Sequence, residues 1–574
     1  MGKKMRRVLA LALAFVMLLP AACKKDTGKD RQGDSKVGEN GYPEYLNLDS
    51  AYPVIKDEYT GTIKLKVALV QTAEGGEWED LWLCKYLKEK YNVELEVETI
   101  LDAAVGDRKN LMFSSGALPD IIINMNLTSN ELYKYGQEEG MLLPMDEYMN
   151  ETLTPNLLRY FETNAEVKSV CTLPDGHVYS APWIFSESDE GRFTRIFLNR
   201  AWLDKLGIKM PKTLDDFTAA MYAIKEADPS GVGSENLYPL SGGMGYNTTY
   251  YILNAFGYVT SDGIGTAPAI RDGEVVIPAY DTEVYREYLT LLNQYYKDEI
   301  IDPKFFVITD QQIVNRVNNG QAAVFREPVY LLGMTSFDEW EACYPLTSRW
   351  QKEPEWVRPE FVAKGGFVIS ADTELCMRIA DMYYNSTTDD CRALWIGTND
   401  PEYEFGYTHP EIDEDGVISW NEETIPNKMS SWSYLMRELA GTMPNFGACE
   451  TAEANEAHYR AYGIEMPEHI RNKEFDLTSG DGCYRASVAK NLVPYSTYGF
   501  PYTYYVDEET QERISDLATV IEPYISQQFA MFVTGQRSLS QMEDFAKELK
   551  EMGIEELLGI YREIYANSSY KEVP

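Results

Sequence analysis

Residues 61–70 read GTIKLKVALV, and this short run decides the fold. Apolar and charged residues alternate up to Lys66, after which the chain turns wholly apolar, as a strand does on entering a covered core. Residues 78–91, WEDLWLCKYLKEKY, follow with Trp78, Leu81, Trp82, Tyr86 and Leu87 at helical spacing, and NVELEVETI at 92–100 alternates again. DRKNLMFSSGALPDIIIN at 107–124 is a helix, a break at Gly116 and Pro119, and the apolar strand Ile121 to Ile123. Strand, helix, strand, helix, strand is the order of a parallel sheet flanked by helices. Ligands of such sheets sit at the carboxyl ends of strands, which singles out Asn124, Met125 and Asn126.

Upstream of this unit, Lys3, Lys4, Arg6 and Arg7 precede the apolar run Val8 to Leu19, then Pro20, Ala21, Ala22 and Cys23. A basic start, a short apolar stretch and small residues before a cut make residues 1–22 a signal peptide, too short for a spanning helix. Cys23 directly after two alanines is the expected lipidation site, although Pro20 stands where a lipobox carries Leu; simple secretion is the alternative. Residues 23–59 continue after Cys23 with KKDTGKDRQGDSKVGENGYPEY, which lacks the apolar area to fold and is expected to be a flexible tether. The seven cysteines after Cys23 are irregularly spaced and odd in number, with no C-x-x-C, which argues against a disulfide framework or a zinc site.

Downstream, the helix around Leu203 and Leu206 stops at Gly207, and Thr213 caps a new helix with Asp216 three residues on. FVTGQRSLSQMEDFAKELKEMGIEELLGIYREIYA at 532–566 is helical, with Ile554, Leu557, Leu558, Tyr561, Ile564 and Tyr565 on one face.

The 574 residues carry a formal charge of −39, which repels phosphate backbones and makes nucleic acid a poor partner. Forty-one Tyr and 10 Trp stand against four His, and flat rings with polar tips suit hydroxyl-rich sugar rings. Enzyme motifs are missing from the text: there is no G-x-S-x-G, no H-E-x-x-H and no Walker loop. His177, His409, His458 and His469 are too scattered for a metal centre, and no local motif marks the paired carboxylates of a glycoside hydrolase. No cofactor and no catalytic residue is expected.

Four segments together resemble the family 1 extracellular solute-binding lipoproteins of ABC importers, in their large Gram-positive form. These are LMFSSGALPDIII (111–123); LPDGHVYSAPW (173–183) leading into FLNRAWLDKLGIKMPKTLDDF (197–217); NNGQAAVF (318–325) with FVAKGGFVIS (361–370); and the closing helical run. The resemblance implies an α/β, two-lobed fold of the periplasmic-binding-protein type (type 2) with a helix-rich C-terminus. Lobe one is expected at 60–188 and 348–390, lobe two at 189–347 and 391–574, with crossings near Phe185–Thr194, Tyr344–Thr347 and Asp390. The implied function is capture of an oligosaccharide in the cleft and delivery to importer permease subunits, by a lipid-anchored monomer on the outer face of the cytoplasmic membrane. A peptide or another solute remains open as ligand, and a secreted glycoside hydrolase is the enzyme alternative. Where relatives carry an Asp-rich calcium loop, this chain has DPSGVGSENLYPL (228–240), with Asp228 and Glu235 its only carboxylates, which argues against calcium.

A sugar site needs aromatic platforms beside amides or charges in a concave cleft. The candidates are Asn124 and Asn126 at the strand exit, with helix capping as their other reading, and Tyr179 and Trp183 before the first crossing. Tyr246 and Asn247 in SGGMGYNTTYY, Arg326 and Glu327 in VFREP, and Trp395 in LWIGTNDPEYEF complete the set. Asn399 and Tyr403 lie in that last segment too. Trp202 is expected in the core.

Overall fold

Six strands form the large sheet: β1 (Ile63–Gln71), β2 (Val93–Leu101), β3 (Ile121–Ile123), β4 (Ala181–Phe185), β5 (Val362–Ile369) and β6 (Gly447–Glu450). They lie side by side in the order β6-β4-β5-β3-β1-β2. The computed structural model describes residues 37–568 apart from 186–189, 246, 261–264, 327–338, 371–373, 397–409, most of 413–430, 442–444, 473–479 and some shorter stretches. β1 pairs in parallel with β2 and β3, and β4 with β6, while β5 runs antiparallel between β3 and β4. The expected parallel order therefore holds for β1 to β3, and the one reversed strand is the chain returning from the other lobe.

Alternation along these strands builds two layers. Ile63, Leu65, Val67 and Leu69 of β1, Ile121 of β3, and Phe367 and Ile369 of β5 face one apolar cluster. Ala68 and Val70, Ile122, and Val368 face another on the opposite side. Trp82, Leu83, Tyr86 and Leu87 from the helix Trp82–Tyr91 cover the first face, and Met112 and Phe113 from Val105–Ser115 cover the second. Because side chains alternate with a period of two, a one-residue slip would move every buried side chain to the wrong layer.

The second lobe has a different construction. Among the described residues its sheet has three strands, in the order Val324–Phe325, Phe197–Asn199, Trp340–Ala342, paired antiparallel. Its core is otherwise helical and rich in Tyr: Tyr250, Tyr251, Tyr258, Tyr285, Tyr288 and Tyr295 are fully buried there. Ile554, Leu557, Leu558, Tyr561 and Ile564 of the last helix join this core, with Tyr565 packed at its margin, as their spacing predicts. Trp202 is buried in the same cluster.

Three expected boundaries move. Tyr45, Leu46, Val54 and Ile55, expected in the flexible tether, are buried in the first core, so lobe one begins before residue 60. Tyr344–Thr347 do not cross: Leu346 is in the second core, and Thr347 bridges Thr213 there. Trp356 still belongs to that core, its Nε1 donating to the Thr194 carbonyl at 2.7 Å, so the chain crosses between Val357 and Val362. Residues beyond Asp390 also return to lobe one: Leu394, Tyr434, Leu435, Leu439, Phe446 and Ala448 pack in its first cluster, and β6 pairs with β4. Apolar periodicity marks which face of an element is buried and carries no address for the core that receives it.

The crossings are tied by buried polar groups. Glu166 pairs with Arg358 at 2.8 Å, and its other oxygen accepts from Phe361 N–H at 2.5 Å. Arg358 N–H donates to Thr497, where Ser496–Thr497 pairs with Trp356–Val357. Glu360 accepts from the N–H and hydroxyl of Thr503, in the segment that follows Ser496–Thr497, and Lys364 Nζ donates to the same hydroxyl at 3.0 Å. Burial pushes the Glu360 carboxyl above the ordinary carboxylate range and the Lys364 amine below its own.

Candidate functional site

The carboxyl ends of β1, β3, β4 and β6 and the start of β5 share one edge of the large sheet, and the chain leaves that edge through β4 for lobe two. Trp183 sits near the middle of it. On β4 it is flanked by Ala363 of β5 and Gly447 of β6, and its ring stacks at a tilt 4.6 Å from Phe185. Although Trp183 belongs to the sheet of lobe one, it is half-buried against the core of lobe two. Its indole Nε1 is shielded from solvent and finds no acceptor among the described residues. Trp78 and Trp340 share that property, so what sets Trp183 apart is its place between the two cores.

The pairing of β4 with β5 shifts register between Ala363 and Phe367, so Lys364, Gly365 and Gly366 form a bulge beside Trp183. The Ser180 hydroxyl holds the bulge by accepting from Gly365 N–H at 2.6 Å. Both glycines are required for space. A Cβ on Gly365, whose φ is +79°, would collide with the Leu127 carbonyl, and one on Gly366 with the carbonyl of Asn445. Two loops thereby close onto the bulge, with Leu127 N–H donating to Gly365 and Asn124 N–H to Gly366.

Asn124 and Asn126 both have left-handed backbones, φ +62° and +50°, which Asn tolerates better than most residues. Their side chains diverge. Asn124 is buried and its Oδ1 accepts from Asn445 N–H at 2.7 Å; Asn126 is exposed and its Oδ1 accepts from Asn445 Nδ2 at 3.1 Å. Asn124 therefore braces the loop, and Asn126 with Asn445 faces outward. Gln71 ends β1 on the same edge, buried, with its Oε1 lacking a donor among the described residues.

Tyr179 is corrected to a structural role. It is buried in the second layer of lobe one against Gly136, and its hydroxyl donates to Asp175 at 2.7 Å. Burial first, and then that carboxylate, push its phenol well above the usual range. Asn247 is likewise buried and capped inward, its Oδ1 accepting from the N–H and hydroxyl of Thr249. Arg326 leaves the short strand of lobe two half-buried, donating to the Gly245 carbonyl at 3.1 Å with its guanidinium 5.1 Å from the Tyr250 ring. Tyr246, Glu327, Cys23, Asn399, Tyr403 and the side chain of Trp395 lie outside the described residues.

Asn445 and Gln71 had no signal of their own in the text. Asn445 matters only because residues 447–450 form a strand beside Trp183, and a four-residue strand far along the chain has no visible partner in sequence.

The 228–240 loop closes on itself. Burial disfavours the Asp228 carboxylate, but the N–H groups of Gly233, Val232 and Gly231 and the Ser230 hydroxyl hold its pKa below the usual value. Both oxygens of Asp228 are thus engaged by the loop's own donors. Among the described residues, no cluster of three or more His, Cys, Asp or Glu is arranged to hold a metal.

Two separate cores joined by buried crossings, with an aromatic caught between them, define a two-lobed α/β protein. Residues 70–327 match the family model of bacterial extracellular solute-binding proteins. It is 32% identical over 211 residues to the fructooligosaccharide ABC transporter substrate-binding protein FusA of Streptococcus pneumoniae, covering 35% of this chain and 38% of that protein. It is 27% identical over 241 residues to the lipoprotein LipO of Bacillus subtilis, covering 41% and 44%. Each match spans less than half the length of the curated relative. The solved structure of S. pneumoniae FusA with kestose superposes over 89% of this chain and 99% of its own, with a TM-score of 0.63 and 21% identity. The likeness of fold thus extends far beyond the best-matching stretch of sequence.

Proposed function

We propose that this chain captures an oligosaccharide between its lobes and presents it to the permease subunits of an ABC importer, as a monomer moored outside the cell through Cys23. The observation that carries the reading is Trp183: a strand-edge indole on one lobe, abutting the other, with a shielded donor awaiting an acceptor. Amides on the same edge supply the directional hydrogen bonds that hydroxyl groups need, and the ring supplies the flat apolar face. Asn126, Trp183 and Asn445 on lobe one and Arg326 on lobe two are the assigned contacts. The named ligand class of FusA and the lipoprotein name of LipO support the same direction. Closure would be driven by the closed form's higher affinity for the guest.

A thermal-shift screen of the full chain lacking its leader, against oligosaccharides and short peptides, tests this. A ligand at a hundred times its Kd should stabilise the protein by roughly 2.7 kcal/mol. Stabilisation by peptides alone would replace the carbohydrate reading, and chromatographic detection of cleaved sugar would replace binding with catalysis.

A further inference from the structure

The outward amides of Asn126 and Asn445 are fixed more firmly than half-exposed side chains usually are. Asn445 is held through its main chain by Asn124, Asn124 is held through its main chain by Gly366, and the glycine bulge sets the distance between the two loops. The bond from Asn445 Nδ2 to Asn126 Oδ1 orients both amide planes. It leaves Asn126 Nδ2 with its hydrogens and Asn445 Oδ1 with its lone pairs, and neither atom has a hydrogen-bond partner among the described residues. A donor and an acceptor thus stand side by side on a rigid support, in the edge that also carries Trp183.

Resting on the carbohydrate reading above, we propose that Asn126 and Asn445 form a two-amide clamp that selects sugars presenting two adjacent hydroxyls, with one hydroxyl accepting from Asn126 Nδ2 and its neighbour donating to Asn445 Oδ1. Each sugar hydroxyl both donates and accepts, so a vicinal pair satisfies the clamp, whereas a ring lacking one of the two leaves an amide group desolvated without a partner. Such a site rejects the deficient analogue more strongly than an apolar pocket rejects a missing methylene. Trp183 would give affinity for rings in general, and the clamp would decide which rings stay.

The test is isothermal titration of kestose, lacto-N-tetraose and trigalacturonate into wild type, Asn126→Ala, Asn445→Ala and the double variant. For whichever probe wild type binds, each single variant should weaken binding by roughly 10- to 100-fold, and the double variant by less than the product of the two. Asn445→Ala keeps the main-chain N–H that Asn124 accepts, so its unliganded Tm should stay within about 2 °C of wild type. Wild-type affinity in the double variant would overturn the clamp and leave the carbohydrate reading intact. An equal loss of unliganded stability and affinity in Asn445→Ala would also overturn it, by making the amide a brace. Failure of wild type to bind any of the sugars would overturn both.

Discussion

Lobe one and lobe two bury their cores in different ways. In lobe one, a six-stranded sheet sorts side chains into two layers by simple alternation, and β1, β3 and β5 each contribute to both. In lobe two the strands are two or three residues long, and stacked Tyr and Phe rings fill the space between helices. Functional groups on lobe one are accordingly held by strand ends and a glycine bulge. A strand inside a sheet is held by hydrogen bonds on both sides, so the groups at these strand ends stand on a firm support.

Substitutions test that contrast, beginning with the largest effect. Phe367→Ala, at a fully buried position in the middle of the large sheet, should cost about 3–5 kcal/mol in denaturant unfolding. An effect below about 1 kcal/mol would mean that the sheet does not organise its lobe. Glu166→Ala strands Arg358 and the N–H of Phe361 inside the crossing and should cost about 3 kcal/mol. Because that pair ties the crossing to lobe one, its loss should also separate the unfolding transitions seen by probes in the two lobes.

Gly365→Ala places a Cβ against Leu127 at a left-handed backbone and should cost about 1–3 kcal/mol. Since the bulge supports the amide pair, sugar affinity should fall with stability. The comparable change Gly553→Ala, at φ +100° before the last helix in lobe two, should lower stability and leave affinity alone. Trp183→Ala should diminish the ligand-induced rise in Tm far more than the Tm of the unliganded chain. An equal fall in both would make the indole a packing residue.

The smallest effect concerns His177. Its Nδ1 lies 2.9 Å from Asp146, and that hydrogen bond raises the imidazole pKa above its ordinary 6.5. A raised folded pKa means that the protonated form favours folding: the contribution is complete below pH 6.5 and fades as pH climbs through the raised value. Melting curves from pH 6 to 9 should therefore show a slight loss of Tm in wild type that His177→Ala lacks.

Legibility followed the same division. β1 to β3 and the helices between them were readable because alternation and helical spacing are local, and the last helix was readable for the same reason. Trp183 and Asn126 were legible only as positions, one before a crossing and one after a strand, and both positions hold in the fold. Tyr179 was misplaced because a Tyr near a crossing reads the same whether its ring enters a cleft or a core; the packing of its ring against Gly136, 43 residues earlier, places it in the core. Asn124 resembles Asn126 in type, backbone and context, yet one is buried and one exposed, because Asn445 arrives between them from more than 300 residues away.

Local periodicity thus determined the α/β class and the first three strands, and four short motif segments carried the family resemblance, since each depends on neighbours within a few residues. Tertiary structure alone decided where the chain crosses, that β5 runs backwards, that β6 joins the first lobe, and which amide faces outward. Those outcomes depend on pairings between segments hundreds of residues apart, and a hydrogen-bonding edge accepts a partner by geometry that no short stretch of sequence encodes.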